Sequence, residues 1–263
     1  MLLQSREGFE TYLHQSDSGE YTAIYHDIAL TSVYQPILDN NETIIGFEAL
    51  LRLTDKNGIT IPPNVFFQSD NYSFEHKLNV ERLSRTIHIR NFAPYSCNQK
   101  LFLNVLPEAA NLSLHHPFNN RLLANRLIEL GLLPNNIILE IVEHFCLHES
   151  KLKQAVEDMK QRGFKIAIDD YGMDASCEAR VSRLSPDILK MDRTLLLKYE
   201  SGDTEPLLSA IKLAKTIQAK TIIEGIETKE QLNAVKQLDI DYFQGYYFGM
   251  PDKLPHSPSI RSL

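Results

Sequence analysis

Asn136-Ile137-Ile138-Leu139-Glu140-Ile141-Val142-Glu143, followed after one helical stretch by Phe164-Lys165-Ile166-Ala167-Ile168-Asp169-Asp170, is the part of the sequence that decides the fold. Each segment is a short apolar run, rich in β-branched residues, that carries carboxylates within it or at its end. Between them, Ser150 to Arg162 places Leu152, Val156 and Met159 at helical spacing, with Gly163 as terminator. Strand, helix and strand in that order imply two parallel strands joined by a crossover. The nearly continuous apolar runs imply strands buried on both faces.

The same alternation extends in both directions. Towards the N-terminus, Lys100 to Val105 reads as a strand, and Asn119 to Leu130 as a helix closed by Gly131. Ser73 can cap a helix that runs to about Arg90, with Leu78, Val80, Leu83 and Ile87 on its apolar face. Ser32 to Leu38 and Ile44 to Leu53 read as strands joined by the turn Asp39-Asn40-Asn41-Glu42. Pro36 argues for an edge or irregular position, and Pro62-Pro63 is expected to break any regular element. Residues 1–28 are polar and weakly periodic. They are expected to form an N-terminal extension packed outside a single domain of residues 29–263.

Towards the C-terminus, Glu178 to Leu184 reads as a helix ended by Pro186, and Asp187 to Asp192 as a strand. Leu207, Leu208, Ile211, Ala214 and Ile217 mark a helix, and Thr221 to Glu224 a strand. Thr228 and Gln231 form a capping-box pair ahead of Leu232, Val235 and Leu238, and Tyr242 to Gly245 is the last strand. Neither dinucleotide-binding nor phosphate-loop glycine patterns follow a strand. At 263 residues, the chain has the length of one closed α/β barrel, typically ~250 residues, which favours a barrel over an open doubly wound sheet.

Composition narrows the function classes. The net charge of −7 argues against a binder of DNA or RNA. The three cysteines show no paired spacing, which fits a reducing, cytoplasmic setting. His144, Cys146 and His148 lack a complete set of four zinc ligands. No apolar run approaches the ~20 residues of a membrane span, and the N-terminus lacks the pattern of a signal peptide. A soluble cytoplasmic protein is expected.

The polar residues of the strands are not scattered. Glu48 lies within Ile44-Ile45-Gly46-Phe47-Glu48-Ala49-Leu50-Leu51-Arg52-Leu53. Asn104, Glu140, Asp169-Asp170, Lys190, Glu224 and Gln244 each follow an apolar run. In a parallel barrel the C-terminal ends of the strands open onto one face, where barrel enzymes keep their active sites. Taken singly, these residues have ordinary explanations: Asp170 as a helix cap, Gln244 as a hydrogen-bonder, Lys190 as a surface charge, Glu48 as a partner of Arg52. Their coincidence, with six strands besides that of Glu48 ending in such a group, points instead to one metal-dependent site. Five carboxylates in one cavity repel unless cations neutralise them. A set of oxygen ligands suits Mg²⁺ or Mn²⁺ rather than zinc. The adjacent pair Asp169-Asp170 suits two ions, a recurrent arrangement for phosphodiester cleavage. Lys190 is placed to orient or help deprotonate an attacking water, or to stabilise charge on phosphate.

Further segments join these: Tyr34-Gln35-Pro36-Ile37, Leu103-Asn104-Val105, Ile168-Asp169-Asp170-Tyr171-Gly172, Glu224-Gly225-Ile226-Glu227-Thr228 and Gln244-Gly245-Tyr246-Tyr247-Phe248. With Glu48-Ala49-Leu50-Leu51-Arg52, and in this order, they resemble the EAL-domain family of bacterial cyclic di-GMP phosphodiesterases from about Ser32 to Pro251. The resemblance implies a modified TIM (β/α)8 barrel whose first strand is antiparallel, and hydrolysis of cyclic di-GMP to linear pGpG. By matching positions it implies that Glu48, Asn104, Glu140 and Asp169 hold one metal, and that Asp169, Asp170 and Glu224 hold a second. Lys190 then contacts the catalytic water and Gln244 supports the site. Gln35, Leu50 and Arg52 contact the nucleotide, and Glu143 anchors the loop after the paired aspartates. A homodimer is the family expectation.

That loop departs from the family pattern: Tyr171-Gly172-Met173-Asp174-Ala175-Ser176-Cys177 has Asp174 in place of a glycine and Ala175 in place of a tyrosine. Leu78-Asn79 stands where the family often has an aspartate. The altered loop keeps open an alternative: a cyclic di-GMP receptor or protein-interaction module without turnover.

Overall fold

The hairpin around Asp39 closes the sheet on itself. In the computed structural model, which describes residues 2–95, 98–106, 118–142, 149–173 and 178–254, the strands form one sheet. In chain order they are β1 (Leu13–Gln15), β2 (Tyr21–Tyr25), β3 (Ile28–Asp39), β4 (Ile44–Asp55), β5 (Thr60–Ile61), β6 (Lys100–Val105), β7 (Ile137–Val142), β8 (Lys165–Tyr171), β9 (Ile188–Met191), β10 (Lys220–Ile223) and β11 (Tyr242–Gln244). β3 pairs with both β4 and β11, so β3, β4 and β6 to β11 make a closed barrel. β3 is antiparallel to its two barrel neighbours, and every other barrel pairing is parallel. This is the modified barrel expected from the sequence.

Local chemistry explains the closure. The Asp39 carboxylate accepts from the backbone N–H groups of Asn41 and Thr43, both at 2.9 Å, which sets the turn between β3 and β4. Gly46 lets β4 approach β6: a Cβ there would lie 2.5 Å from the Lys100 carbonyl oxygen. Both sheet faces are buried, as the apolar runs imply. Ile37, Phe102, Ile138, Ala167, Ile188 and Ile222 fill the barrel interior. Leu101, Leu139, Ile141, Ile166, Ile168, Leu189 and Ile223 face outward, in one cluster with Leu152, Val156, Met159, Leu207, Ile211, Leu232 and Val235 of the helices.

The structure refines three local expectations. β5 ends at Ile61, directly before Pro62-Pro63, but the prolines do not leave an irregular stretch: a helix spans Pro63–Gln68 with Pro63 in its first turn, where a missing N–H costs nothing. Of the two positions Pro36 argues for, an edge or an irregular one, the structure has the irregular one: β3 is flanked on both sides, and its register with β4 shifts between Ile37 and Leu38. Pro36 falls between the Tyr34–Asp252 bridge and the start of the β11 pairing at Ile37, where no donor is needed. A helix over Arg193–Glu200 follows β9 directly. Asp192, expected within the strand, is its N-cap and accepts from Thr194 N at 2.8 Å.

Residues ahead of β3 build onto the same sheet. β2 pairs with β3 through Ala23–Tyr25. Asn79, fully buried on the helix Phe74–Phe92, accepts from Leu3 N at 2.9 Å and donates to Tyr25 Oη at 2.8 Å. Arg82 donates to the Leu3 carbonyl at 2.8 Å. The position where the family often has an acid thus ties down the N-terminal segment. Among the described residues no helix is long and apolar enough to cross a membrane.

Candidate metal centre

The site is the next layer of the barrel interior. Side chains alternate faces along a strand, so the residue two positions after an inward-facing one also faces inward. Ile138, Ala167, Ile188 and Ile222 face in, and the residues two further on are Glu140, Asp169, Lys190 and Glu224. Phe102 is likewise followed by Asn104. Glu48 pairs in register with Phe102 on one side and Gln35 on the other, and Asn104 with Glu140. The apolar layer below is the floor on which the polar groups stand.

Lys190 lies at the centre. It is 1% exposed, and its ammonium is 2.7 Å from Glu140 Oε1, 2.7 Å from Asp169 Oδ1, 2.8 Å from Glu224 Oε1 and 3.5 Å from Glu48 Oε2. Ligand oxygens of Glu48, Glu140 and Asp169 all lie within 4.8 Å of one another, as do those of Asp169, Asp170 and Glu224. Asp169 belongs to both groups. Asn104 donates to Glu48 Oε1 at 3.3 Å, so the one amide expected among the ligands is at the same place. Gln244 donates to the other Glu48 oxygen, Oε2, at 2.7 Å.

A regular strand would send Asp169 and Asp170 to opposite faces. The β8–β9 register shifts between Ile168 and Tyr171, and Asp170 takes φ 57. This bulge turns both carboxylates towards the barrel mouth. Aspartate is one of the few non-glycine residues that adopt this left-handed backbone readily.

The electrostatics call for cations. Four carboxyl groups surround one ammonium, and a fifth, Asp170, clusters with Asp169 and Glu224. Both oxygens of Glu140 and Oδ1 of Asp169 are buried without a hydrogen bond of good angle, and the Lys190 ammonium meets Glu140 Oε1 and Asp169 Oδ1 as ion pairs. Burial pushes the Glu140 carboxyl well above the usual carboxylate range, against the pull of Lys190. Burial likewise raises Glu224 to about 8, and burial together with the Asp169 charge raises Asp170 to about 6. For Lys190, burial opposes the charge, but Asp169, Glu140, Glu224 and Glu48 outweigh it and hold the amine well above the ordinary lysine range. Buried oxygens short of donors, with affinity for protons near neutrality, are what an oxygen-ligated divalent cation fits.

Leu50 and Arg52 follow Glu48 at two-residue steps on β4, so they share its face and continue towards the mouth. Arg52 is half-buried and donates to the Leu51 carbonyl at 3.1 Å. Gln35 and Gln244 meet at 3.2 Å beside Glu48. Glu143 lies outside the described residues, as do Asp174, Ala175, Ser176 and Cys177 of the altered loop; Met173 is exposed. Sequence reasoning missed Gly249, whose carbonyl accepts from Gln35 Nε2 at 3.3 Å. In the sequence Gly245 closes the last expected strand without an assigned role; a Cβ there would lie 2.0 Å from the Ile226 carbonyl oxygen.

The family model of the EAL domain matches residues 22–251. PdeN of Escherichia coli K12, a probable cyclic di-GMP phosphodiesterase, is 29% identical over 241 residues that cover 88% of this chain and 44% of PdeN. YkuI of Bacillus subtilis, an EAL-domain protein, is 31% identical over 225 residues covering 84% of this chain and 54% of YkuI. The crystal structure of YkuI in complex with substrate cyclic di-GMP and calcium superposes with a TM-score of 0.74 at 28% identity, over 86% of this chain and 55% of that one. An EAL-domain protein of Listeria monocytogenes EGD-e gives 0.70 at 26% identity, over 85% and 89% of the two chains. The chain spans about half the length of the curated relatives it matches. Closed barrel, antiparallel first strand and a match over most of the length agree, and the chain belongs to the EAL-domain family.

Proposed function

We propose that this chain hydrolyses cyclic di-GMP to linear pGpG with two divalent cations, Mg²⁺ or Mn²⁺. One observation carries the reading: two three-carboxylate clusters share Asp169 beside a buried lysine. Glu48, Asn104, Glu140 and Asp169 hold one ion in this reading, and Asp169, Asp170 and Glu224 the other. When bound, the ions supply the positive charge that acidifies water and polarises the phosphodiester.

The protein's own groups do the rest. Lys190, kept charged by its carboxylates, holds the attacking water by hydrogen bonding and offsets charge that builds on the phosphate. Glu48, Asp170 and Glu224 complete the catalytic set. Arg52 clamps a phosphate, for which a planar guanidinium is suited, and Leu50 lines the nucleotide side, with Gln35 and Gln244 beside Glu48. The water oxygen bonds to phosphorus, the bond from phosphorus to one 3′ oxygen breaks, and that oxygen takes up a proton. Glu143 anchors the loop after the paired aspartates. Homodimeric assembly and a cytoplasmic setting, where the substrate is a second messenger, accompany this reading.

The test is to incubate the purified protein with cyclic di-GMP and Mg²⁺ or Mn²⁺ and separate the products. pGpG is expected from the wild type and not from Glu48→Ala. Nucleotide binding with no pGpG above that control would replace the enzyme with the receptor reading that the Met173–Cys177 sequence keeps open.

A further inference from the structure

Gln35 matches a family position that contacts the nucleotide, yet both ends of its side chain are already committed. Its Oε1 accepts from Gln244 Nε2 at 3.2 Å, and its Nε2 donates to the Gly249 carbonyl at 3.3 Å. Gln244 Nε2 also donates to Glu48 Oε2 at 2.7 Å. Gln35 and Gln244 are 8% and 3% exposed. We propose that Gln35 is a positioning residue that acts through Gln244 on the carboxylate of Glu48.

The chain of contacts has only one self-consistent polarity. A carboxylate accepts only, so Gln244 must present its NH₂ to Glu48. That same NH₂ reaches Gln35, which must answer with its oxygen. The NH₂ of Gln35 then faces a carbonyl, which also accepts only. Reversing either amide sets donor against donor or acceptor against acceptor at two contacts. Glu48 is thereby held from two sides, by Gln244 on Oε2 and by Asn104 on Oε1. The relay starts at a backbone carbonyl in the segment after β11, which Tyr34 and Asp252 fasten to β3 by a bridge. Groups that orient a ligating carboxylate set metal affinity as well as rate.

This inference rests on Glu48 being a metal ligand, and the experiment separates the two. Mn²⁺ binding is measured by titration calorimetry, and kcat and KM for cyclic di-GMP are measured on the same preparations, for Gln35→Ala, Gln35→Met, Gln244→Ala, the double variant Gln35→Ala/Gln244→Ala, and Glu48→Gln. Gln35→Met keeps the volume of the side chain and covers the case in which Gln35→Ala fails to fold. Either Gln35 variant is expected to weaken Mn²⁺ binding by about 10- to 100-fold and to lower kcat with KM little changed. The double variant is expected to be no worse than Gln244→Ala alone, because the two act in series. A raised KM with unchanged Mn²⁺ affinity would make Gln35 a direct nucleotide contact and overturn the relay. Additive losses in the double variant would do the same. If Glu48→Gln leaves Mn²⁺ binding intact, the metal-ligand reading itself fails, whatever the Gln35 variants show.

Discussion

Loading the metal centre should expel protons, and their number follows from the site. With Glu224 raised to about 8, roughly nine-tenths of this carboxyl is protonated at about pH 7. Asp170, raised to about 6, is protonated to only about one part in ten at that pH. Cations bind the deprotonated form. These two groups together therefore release about one proton at about pH 7, and Glu140, also raised, adds to it. The assay is calorimetric titration of chelator-treated protein with Mn²⁺ in buffers of different ionisation enthalpy. The slope of observed against buffer enthalpy counts the protons. It should shrink as the pH rises past 8, where Glu224 is already ionised, and grow as the pH falls towards 6, where Asp170 joins. The same shifts fix a stability trend in chelator. A carboxyl whose folded pKa is raised contributes most below its unfolded value. For Glu224 that contribution is lost as the pH climbs from 4.5 through about 8. A slope of zero at neutral pH would show that the carboxylates are already ionised without metal, and would refute the argument.

Other expectations follow from single residues. Replacing Lys190 with Met leaves the buried carboxylates without their internal cation. In chelator the variant should lose ~3–5 kcal/mol, read as a lower Tm, and Mn²⁺ should restore stability without restoring turnover. His88 is fully buried, hydrogen-bonds Ser32 Oγ at 2.7 Å through Nδ1, and burial pushes its pKa down to about 3. Its folded pKa lies below the unfolded one, so its penalty starts as the pH drops under 6.5 and grows by ~1.4 kcal/mol per pH unit, to ~2 kcal/mol near pH 5. Urea denaturation of His88→Asn should show that much less acid sensitivity than the wild type; equal sensitivity would contradict a neutral buried imidazole. Gly245→Ala drives a Cβ into the Ile226 carbonyl oxygen, 2.0 Å away, and should cost ~1–3 kcal/mol or more by thermal melting while weakening Mn²⁺ binding through the adjacent Gln244.

The parts of the fold that were legible follow from periodicity. Strands buried on both faces show as apolar runs, and a polar residue ending such a run has only the barrel mouth to face, so Glu140, Asp169, Lys190 and Glu224 could be placed together before any geometry. Other features have no periodic signature. The helix Arg193–Glu200 begins at the residue after its cap, and the apolar run of β9 hides the boundary. Asn79 reads as a lost acid in the sequence, whereas its actual work, holding Leu3 and Tyr25, depends on contacts 76 and 54 residues away. The Gln35 relay is equally non-local, with separations of 209 and 214 residues between its partners. A sequence reader can see that an amide is present there, but not that both of its ends are used.

The paired aspartates join the two kinds of information. A site that takes ligands for two ions from one strand end can take them from consecutive residues, and here the residue two positions after Asp169 is the apolar, buried Tyr171 that ends β8. Consecutive residues of a regular strand face opposite ways, so the pair requires a break in the ladder, and the break is at Ile168–Tyr171. The backbone there must turn through the left-handed region, which costs an ordinary residue ~1–2 kcal/mol. Glycine would relieve that cost but supply no carboxylate; glutamate would supply the carboxylate on a longer side chain with no local compensation for the backbone. Aspartate alone satisfies the turn and the charge together. The left-handed backbone at Asp170, φ 57, is therefore tied to its proposed ligand role rather than to the stability of β8. It is also the point where the barrel's regular alternation breaks, one residue before β8 ends at Tyr171.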